Sequence, residues 1–466
     1  MDFLIVLGAL AFLIFVAYRG YSVILFAPVA AMGAVFLVDP SLVAPMFTGL
    51  FMDKMVGFIK SYFPVFLLGA VFGKTIEMSG FANAIVTAVI RFVGEKRAML
   101  SIVIVCAVLT YGGVSLFVVV FAVYPFAAEM FRQSDIPKRL IPGTIALGAF
   151  TFTMDSLPGT PQIQNIIPTS FFKTNAYAAP ALGLIGALFV FVVGMVYLEW
   201  RRRSAHKAGE GYGSGHVNEP KSYATQDRLP HWALALLPLV VVGVANKLLT
   251  TYIPQWYGPQ TSFKPAVIGA SENVVQETSS VVAIWAVEGA LLMGIITVLV
   301  FAWKPVVENF AEGSKEAVGG AMLAATNTAS EYGFGAVIAA LPGFLVVANA
   351  LRSIPNPLVN EAVTVTALAG ITGSASGGLS IALAAMGDTF IQAADSSGIP
   401  LEVFHRVASM ASGGMDTLPH NGAVITLLAV TGLTHKVSYK DIFAMTVIKT
   451  VAVFVVIAFY YTTGLV

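Results

Sequence analysis

Apolar runs long enough to cross a bilayer, about 17–25 residues as helix, recur along the chain and are parted by short polar stretches. Candidate spans are 3–18, 22–38, 62–78, 178–199, 231–249, 281–303, 317–332 and 441–463. Two short apolar runs, 81–93 and 335–350, are expected to lie along the interface rather than cross. Two longer stretches are interrupted. Residues 98–131 break at Tyr111-Gly112-Gly113, and residues 362–394 break at Gly373–Gly378. Both read as re-entrant helical hairpins. Two more, 139–172 and 401–431, carry Pro, Asp and amide side chains in mid-run, at Asp155–Pro161 and around Asp416–Asn421. Proline removes an N–H and clashes with the preceding turn, so these read as discontinuous helices.

The breaks come in pairs. MDSLP at Met154 returns as MDTLP at Met415, so that Asp155, Ser156, Leu157 and Pro158 map on Asp416, Thr417, Leu418 and Pro419. The same offset pairs Gly112-Gly113-Val114-Ser115 with Gly373-Ser374-Ala375-Ser376. Irregular backbone at membrane depth is tolerated only where it is buried in protein or lines a cavity. Matching breaks in two halves point to a secondary transporter with its substrate between them. The expected fold is an all-α polytopic membrane protein of two inverted-topology repeats, 1–200 and 231–466. An aqueous linker, 201–230, opens with Arg201-Arg202-Arg203.

Lys and Arg placement sets orientation. Arg19, Arg91–Arg97, Arg132–Arg139, the Arg201 cluster, Lys304–Lys315 and Lys436–Lys440 are assigned to the cytoplasm. Loops 39–61, 173–177, 250–280 and 351–361 are assigned outside. Each half then crosses five times, so the second is inverted, both termini lie outside and linker 201–230 is cytoplasmic. Composition agrees: 57% of the 466 residues are hydrophobic and 11% charged, against roughly 25% charged in soluble domains. A net charge of +1 gives nucleic acid no footprint. The one cysteine, Cys106, reads as a small core side chain.

The breaks also hold the candidate chemistry. Glycines at Gly112, Gly113 and Gly373 let backbone N–H groups approach an anion. Ser115, Ser156, Thr160, Gln162, Asn165, Ser374, Ser376, Thr417, His420 and Asn421 add donors and acceptors. Close helix packing by small residues is the competing account. Asp155, Asp416 and His420 are the candidates for carrying a coupling proton, with helix capping the alternative for the two acids. A broken helix would hold a substrate carboxylate by its exposed N–H groups and the positive end of its dipole, without any buried cation. Glu77 reads as an i, i+3 partner of Lys74, and Glu331 as a group near a span end. No cofactor is expected, and no metal or nucleotide motif appears. Sodium, the alternative coupling ion, leaves little trace in sequence. An integral membrane enzyme or structural subunit is the remote alternative.

Ile136-Pro137 with the break Leu157–Gln162, the tip Gly373-Ser-Ala-Ser-Gly377, the break Ser412–Asn421 and Val437-Ser-Tyr-Lys-Asp441 together resemble the gluconate permease (GntP-type) family of the ion-transporter superfamily. The resemblance implies an inner-membrane symporter for hydroxylated monocarboxylates, working as a homodimer with an elevator motion. The first break lacks the histidine richness of sugar-acid members, and the second reads Asp-Thr-Leu-Pro-His. A shorter hydroxy acid such as 3-hydroxybutyrate is therefore the preferred substrate. A sodium-coupled citrate or dicarboxylate carrier is the rival.

Overall fold

The computed structural model describes residues 2–19, 21–94, 97–219, 229–263, 274–346, 354–419 and 421–466. The helices in chain order are α1 (Asp2–Tyr18), α2 (Val23–Val38), α3 (Val43–Met46), α4 (Met52–Met78), α5 (Phe81–Val93), α6 (Ala98–Tyr111), α7 (Leu116–Gln133), α8 (Ile141–Ala149) and α9 (Phe152–Asp155). They continue with α10 (Ile163–Phe172), α11 (Pro180–Lys207), α12 (Trp232–Tyr257), α13 (Thr278–Ala340), α14 (Pro357–Thr372), α15 (Ala375–Ser397), α16 (Leu401–Gly413), α17 (Gly422–Thr431) and α18 (His435–Thr463). The only described sheet is a two-stranded antiparallel ribbon, Gln260–Phe263 with Val274–Glu277, inside the polar loop 250–280.

This is an all-α polytopic membrane protein. Helical runs Pro40–Met78, α11, α12, α13 and α18 are each long and apolar enough to cross a bilayer. Their outer faces are apolar too. Leu184, Leu188, Val192 and Val196 form an exposed stripe along α11, and Val240, Val244 and Leu248 one along α12. Four-residue spacing puts such side chains on one helix face, and lipid rather than water suits a surface of this kind.

The two glycine-broken runs are helical hairpins, α6–α7 and α14–α15. Gly113 (φ 95°) and Gly373 (φ 67°) hold the left-handed backbone that each reversal needs. The two proline-broken runs are also discontinuous. In the first, helix stops at α8 and resumes as the single turn α9. It stops again until Gln162, the N-cap of α10. The interruption thus starts at Phe150–Thr151, earlier than the expected Asp155. In the second, α16 tightens into a 3₁₀ turn, Gly414–Thr417, and resumes at α17.

Three expectations fail. Residues 39–61, expected as a loop, are helical from Pro40 onward, passing through a π-turn at Phe47–Phe51 into α4. The spans 281–303 and 317–332, the basic loop between them and the start of 335–350 form one helix, α13. It kinks at Ala302, whose φ of −136° and ψ of 40° leave the helical region. Pro305 lacks the N–H that would bond the preceding turn and its ring crowds that turn, which accounts for the kink. The rest of 335–350 falls partly outside the described residues. Span 178–199 continues as helix through Lys207, because Glu199 pairs with Arg202 (2.6 Å) and Arg203 (2.9 Å) one turn on.

The long arms α4 and α13 lie against each other, and α13 also packs α2 and α12. The hairpins and broken helices form the interior, where α16 touches α10, α14, α15 and α18.

Beyond α11 the linker folds back as a strap. Glu210 accepts from Arg139 Nε at 2.6 Å and Nη2 at 2.7 Å. Glu219 pairs with Lys138 at 2.9 Å, and Asn218 Nδ2 donates to Ala429 O at 2.9 Å. Beneath it lies Asp441, fully buried. It accepts from Arg201 Nε at 2.6 Å, Tyr197 Oη at 2.9 Å and Arg139 Nη1 at 3.2 Å. Asp441 therefore ties the first broken helix, α11 and α18 at one end of the molecule. Asp441→Asn leaves two guanidinium groups short of their counter-charge and should cost on the order of 3 kcal/mol, read as lost thermal stability of the detergent-solubilised protein. A pH effect follows from Glu210, whose carboxyl the hydrogen bond from Arg139 holds below its ordinary value. A carboxyl lowered on folding stabilises above its ordinary titration range and stops doing so as pH falls through the lowered value. Hydrogen exchange of residues 208–219, corrected for intrinsic rate, should stay slow above pH 4.5 and quicken below it.

Candidate functional site

Each hairpin tip stands beside the helix break of its own half. At the first tip, Gln162 Nε2 donates to Thr110 O at 2.7 Å, and a Cβ on Gly113 would stand 3.3 Å from Pro161. At the second, Asn421 Nδ2 donates to Gly373 O at 2.8 Å, and Asp416 Oδ1 accepts Ala375 N–H at 3.0 Å. Asp416 Oδ1 also accepts from Asn421 Nδ2 at 3.2 Å. The two breaks are joined directly: Gln164 Nε2 donates to Asp416 Oδ2 at 2.7 Å. Asp416 thus binds three neutral donors and no cation among the described residues. Burying an ion without a counter-charge is costly, so its N–H donors and the start of α15 carry the whole compensation.

Asp155 is built differently. Its Oδ2 forms an ion pair with Lys449 of α18, and Ser156 Oγ donates to Oδ1 at 2.8 Å. Gly413 of α16 leaves room for this pair, because a Cβ there would strike both the carboxylate and the ammonium. The first break therefore contains a buried cation. Neither aspartate N-caps the half-helix that follows it. Gln162 and Asn421 stand there, with Asn421 Oδ1 accepting Ala423 N–H at 2.7 Å. Capping survives only as Asp416's bond to Ala375, on the neighbouring hairpin.

A second buried cation closes the break. Arg406 Nη1 donates to Asp155 O at 2.8 Å and Asn165 Oδ1 at 2.9 Å, while Nη2 donates to Ala178 O at 2.7 Å. Ser409 Oγ adds a bond to Asp155 O at 3.0 Å. His405, beside it, bonds Thr174 Oγ1 at 2.6 Å and Asn165 Oδ1 at 3.3 Å. These groups satisfy carbonyls that the missing helical turns leave open, and charge-assisted bonds are the stronger kind.

Several expected ligand groups are spent on the scaffold. Thr160 Oγ1 donates to Thr153 O (2.8 Å), Asn165 Nδ2 to Thr160 O and Ala176 O (2.9 Å each), and Thr417 Oγ1 to Gly414 O (2.9 Å). Ser156 serves Asp155. Gly112 is filled by Leu239, against which a Cβ would collide. Ser115 N-caps α7 without a side-chain cap bond, while Ser374 and Ser376 remain at the second tip, their hydroxyls 3.4 Å apart. His420 lies outside the described residues. Glu77 does pair with Lys74, at 3.0 Å. Glu331 does not resemble it: it is buried against the second tip, where Ser374 reaches its carboxyl group and a Cβ on Gly377 would collide with Oε2. Lys449, Arg406, His405 and Gln164 escaped the sequence reading. Lys449 and Arg406 had a signal, a lone cation inside an apolar run. A cavity of about 990 Å³ opens elsewhere, among Arg97, Trp200, Arg202 and Arg203.

Helical hairpins and broken helices that meet at buried polar groups in a membrane protein fit a transporter. The family described as GntP family permease matches residues 23–291, and the chain belongs to that family. It is 61% identical over 474 residues to the "Uncharacterized transporter YxjC" of Bacillus subtilis (strain 168), with both chains covered in full. Among solved structures it is similar to the YdaH transporter of Alcanivorax borkumensis. There the TM-score is 0.49 and the identity 14%, over 92% of this chain and 90% of that one. Neisseria gonorrhoeae MtrF gives 0.46 at 14% identity, over 90% and 84%.

Asp155 and Lys449 should behave as a unit. Asp155→Asn or Lys449→Met alone should each cost about 3–5 kcal/mol by stranding the other charge. The double variant Asp155→Asn/Lys449→Met should recover more than half of that loss. Thermal unfolding of all three in detergent reads the coupling, and additive losses would show that the pair does not act as one.

Proposed function

We propose that this permease imports a small hydroxylated monocarboxylate, 3-hydroxybutyrate or an acid of that size, together with protons. The observation that carries the reading is the junction of both breaks at the second hairpin tip, where Gln164, Asn421 and Ala375 converge on Asp416. The positive end of α15 and the hydroxyls of Ser374 and Ser376 lie at this tip and favour an anion there. The two buried cations at the breaks are both engaged, Lys449 by Asp155 and Arg406 by carbonyls. That leaves donors for one carboxylate rather than a cationic cage for three. Asp416, with no cationic partner among the described residues, suits proton carriage better than Asp155, which is locked to Lys449.

The working motion fits the same geometry. Hairpins and broken helices form one interior body against the long arms α4 and α13. In this reading the two halves, 1–200 and 231–466, are inverted repeats, the interior body slides as an elevator, and the arms hold two copies together in the bacterial inner membrane. Linker 201–230 then lies in the cytoplasm and both termini outside.

Proteoliposome uptake of labelled 3-hydroxybutyrate tests this, under an inward proton gradient and separately an inward sodium gradient, with gluconate, acetate, lactate and citrate as competitors. Proton-driven uptake competed by short monocarboxylates, and lost in Asp416→Asn, is the expected result. Uptake that needs sodium or yields only to citrate overturns the reading in favour of a sodium-coupled carboxylate carrier.

A further inference from the structure

We propose that Glu331 shares the proton-coupling role with Asp416: a buried carboxyl group on α13 that meets the second hairpin tip and takes a proton from one side of the membrane to the other. The inference rests on the proton-symport reading above and assigns that role to a residue outside the breaks.

Glu331 sits on the long arm, yet its side chain reaches the hairpin. It is 5% exposed. Ser374 lies within hydrogen-bonding reach of its carboxyl group, and Oε2 stands so near the backbone of Gly377 that any side chain there would collide with it. Oε2 has no hydrogen-bond partner among the described residues. Neighbouring donors are already committed. Ala375 N–H goes to Asp416 at 3.0 Å, Gly377 N–H to Ser374 Oγ at 3.1 Å, and Gly378 N–H to Ser374 O at 2.9 Å. Ser376 Oγ is paired with Thr328 Oγ1 at 3.3 Å, one helical turn before Glu331.

The groups around Glu331 supply no positive charge. From the second break comes another acid, Asp416. From α4 come Phe58, which meets Tyr332, and Met55, which meets Ser330. No lysine, arginine or histidine forms an ion pair with Glu331 among the described residues, and His420 lies outside them. An ionised carboxylate here would be buried with one oxygen unsatisfied, and it would face a second acid across one turn of α15. A proton on Glu331 removes that cost. The contact is also mechanically placed for coupling, because it joins an arm to the tip of the element proposed to move. In the proposed cycle an O–H bond of hydronium breaks and the O–H bond of Glu331 forms while the tip is open to the outside, leaving water behind. The neutral group then packs against Gly377, and the O–H bond breaks to water on the inside once the tip leaves it.

Infrared difference spectroscopy of the full chain in nanodiscs tests this without knowing the substrate. The wild type at neutral pH should show a carbonyl stretch from a protonated carboxyl group that Glu331→Gln removes and Glu331→Asp restores at a displaced position. In proteoliposomes Glu331→Gln should lose proton-gradient-driven accumulation of labelled 3-hydroxybutyrate, falling to simple equilibration, while exchange of labelled for unlabelled 3-hydroxybutyrate persists. A carbonyl band unchanged in Glu331→Gln, or a variant that accumulates substrate with wild-type pH dependence, overturns the proposal. So does a band that appears in the wild type only when sodium is removed, which would make the pocket a sodium site. If the wild type shows no proton-driven uptake but the band depends on Glu331, the symport reading fails while the protonation site stands.

Discussion

A helix broken inside an apolar interior exposes carbonyls that nothing around it can solvate, and the core of this permease is organised by how those groups are satisfied. At the first break the main device is Arg406. Its guanidinium reaches across from α16 to Asp155 O, Ala178 O and Asn165 Oδ1. Its planar fork suits several fixed acceptors at once, which a lysine ammonium would not. Without it, Ala178 O would lose its guanidinium donors and Asp155 O would keep only Ser409 Oγ, in a medium where an open acceptor costs on the order of 1–3 kcal/mol.

The two aspartates show how one motif is put to two uses. Asp155 is neutralised by Lys449, which threads between α9 and α16 only because residue 413 is glycine. Asp416 has Gln164, Asn421 and Ala375 instead, all neutral. A paired charge in the interior is stable and inert. A carboxyl group held by neutral donors can change its proton without breaking an ion pair. The first break is therefore suited to act as an anchor, and the second, with Glu331 on the far side of the same hairpin tip, as the place where charge can change.

The ends of the molecule follow another logic. Asp441 gathers Arg139, Arg201 and Tyr197, and the strap beyond α11 adds Glu210 and Glu219. Arg139, Arg201 and Glu210 are partly exposed, so water is near enough to soften the cost of the network. The network joins the start of the first broken helix to the start of α18. It thereby fixes the two elements that deliver Asp155 and Lys449 to each other.

Much of this was legible in the chain alone. Glycine and proline act locally, so the reversals at Gly113 and Gly373 and the breaks near Asp155 and Asp416 could be placed to within a few residues. Apolar run length gave a membrane protein for the same reason: it is a property of a segment by itself. Helix continuity was less legible. Residues 39–61 and 304–316 are polar enough to read as loops, yet they stay helical because their charges face outward while the inner face packs on a neighbouring arm. Only the tertiary structure decided which polar groups meet. Asp155 and Lys449 are far apart in sequence, as are Gln164 and Asp416, and no local pattern distinguishes a carboxylate that will find a cation from one that will not. Glu331 looked like Glu77, an acid near the end of a span. The fold put a lysine beside one and a hairpin tip beside the other, because burial and counter-charge belong to the packing of distant elements rather than to the residue's neighbours in the chain.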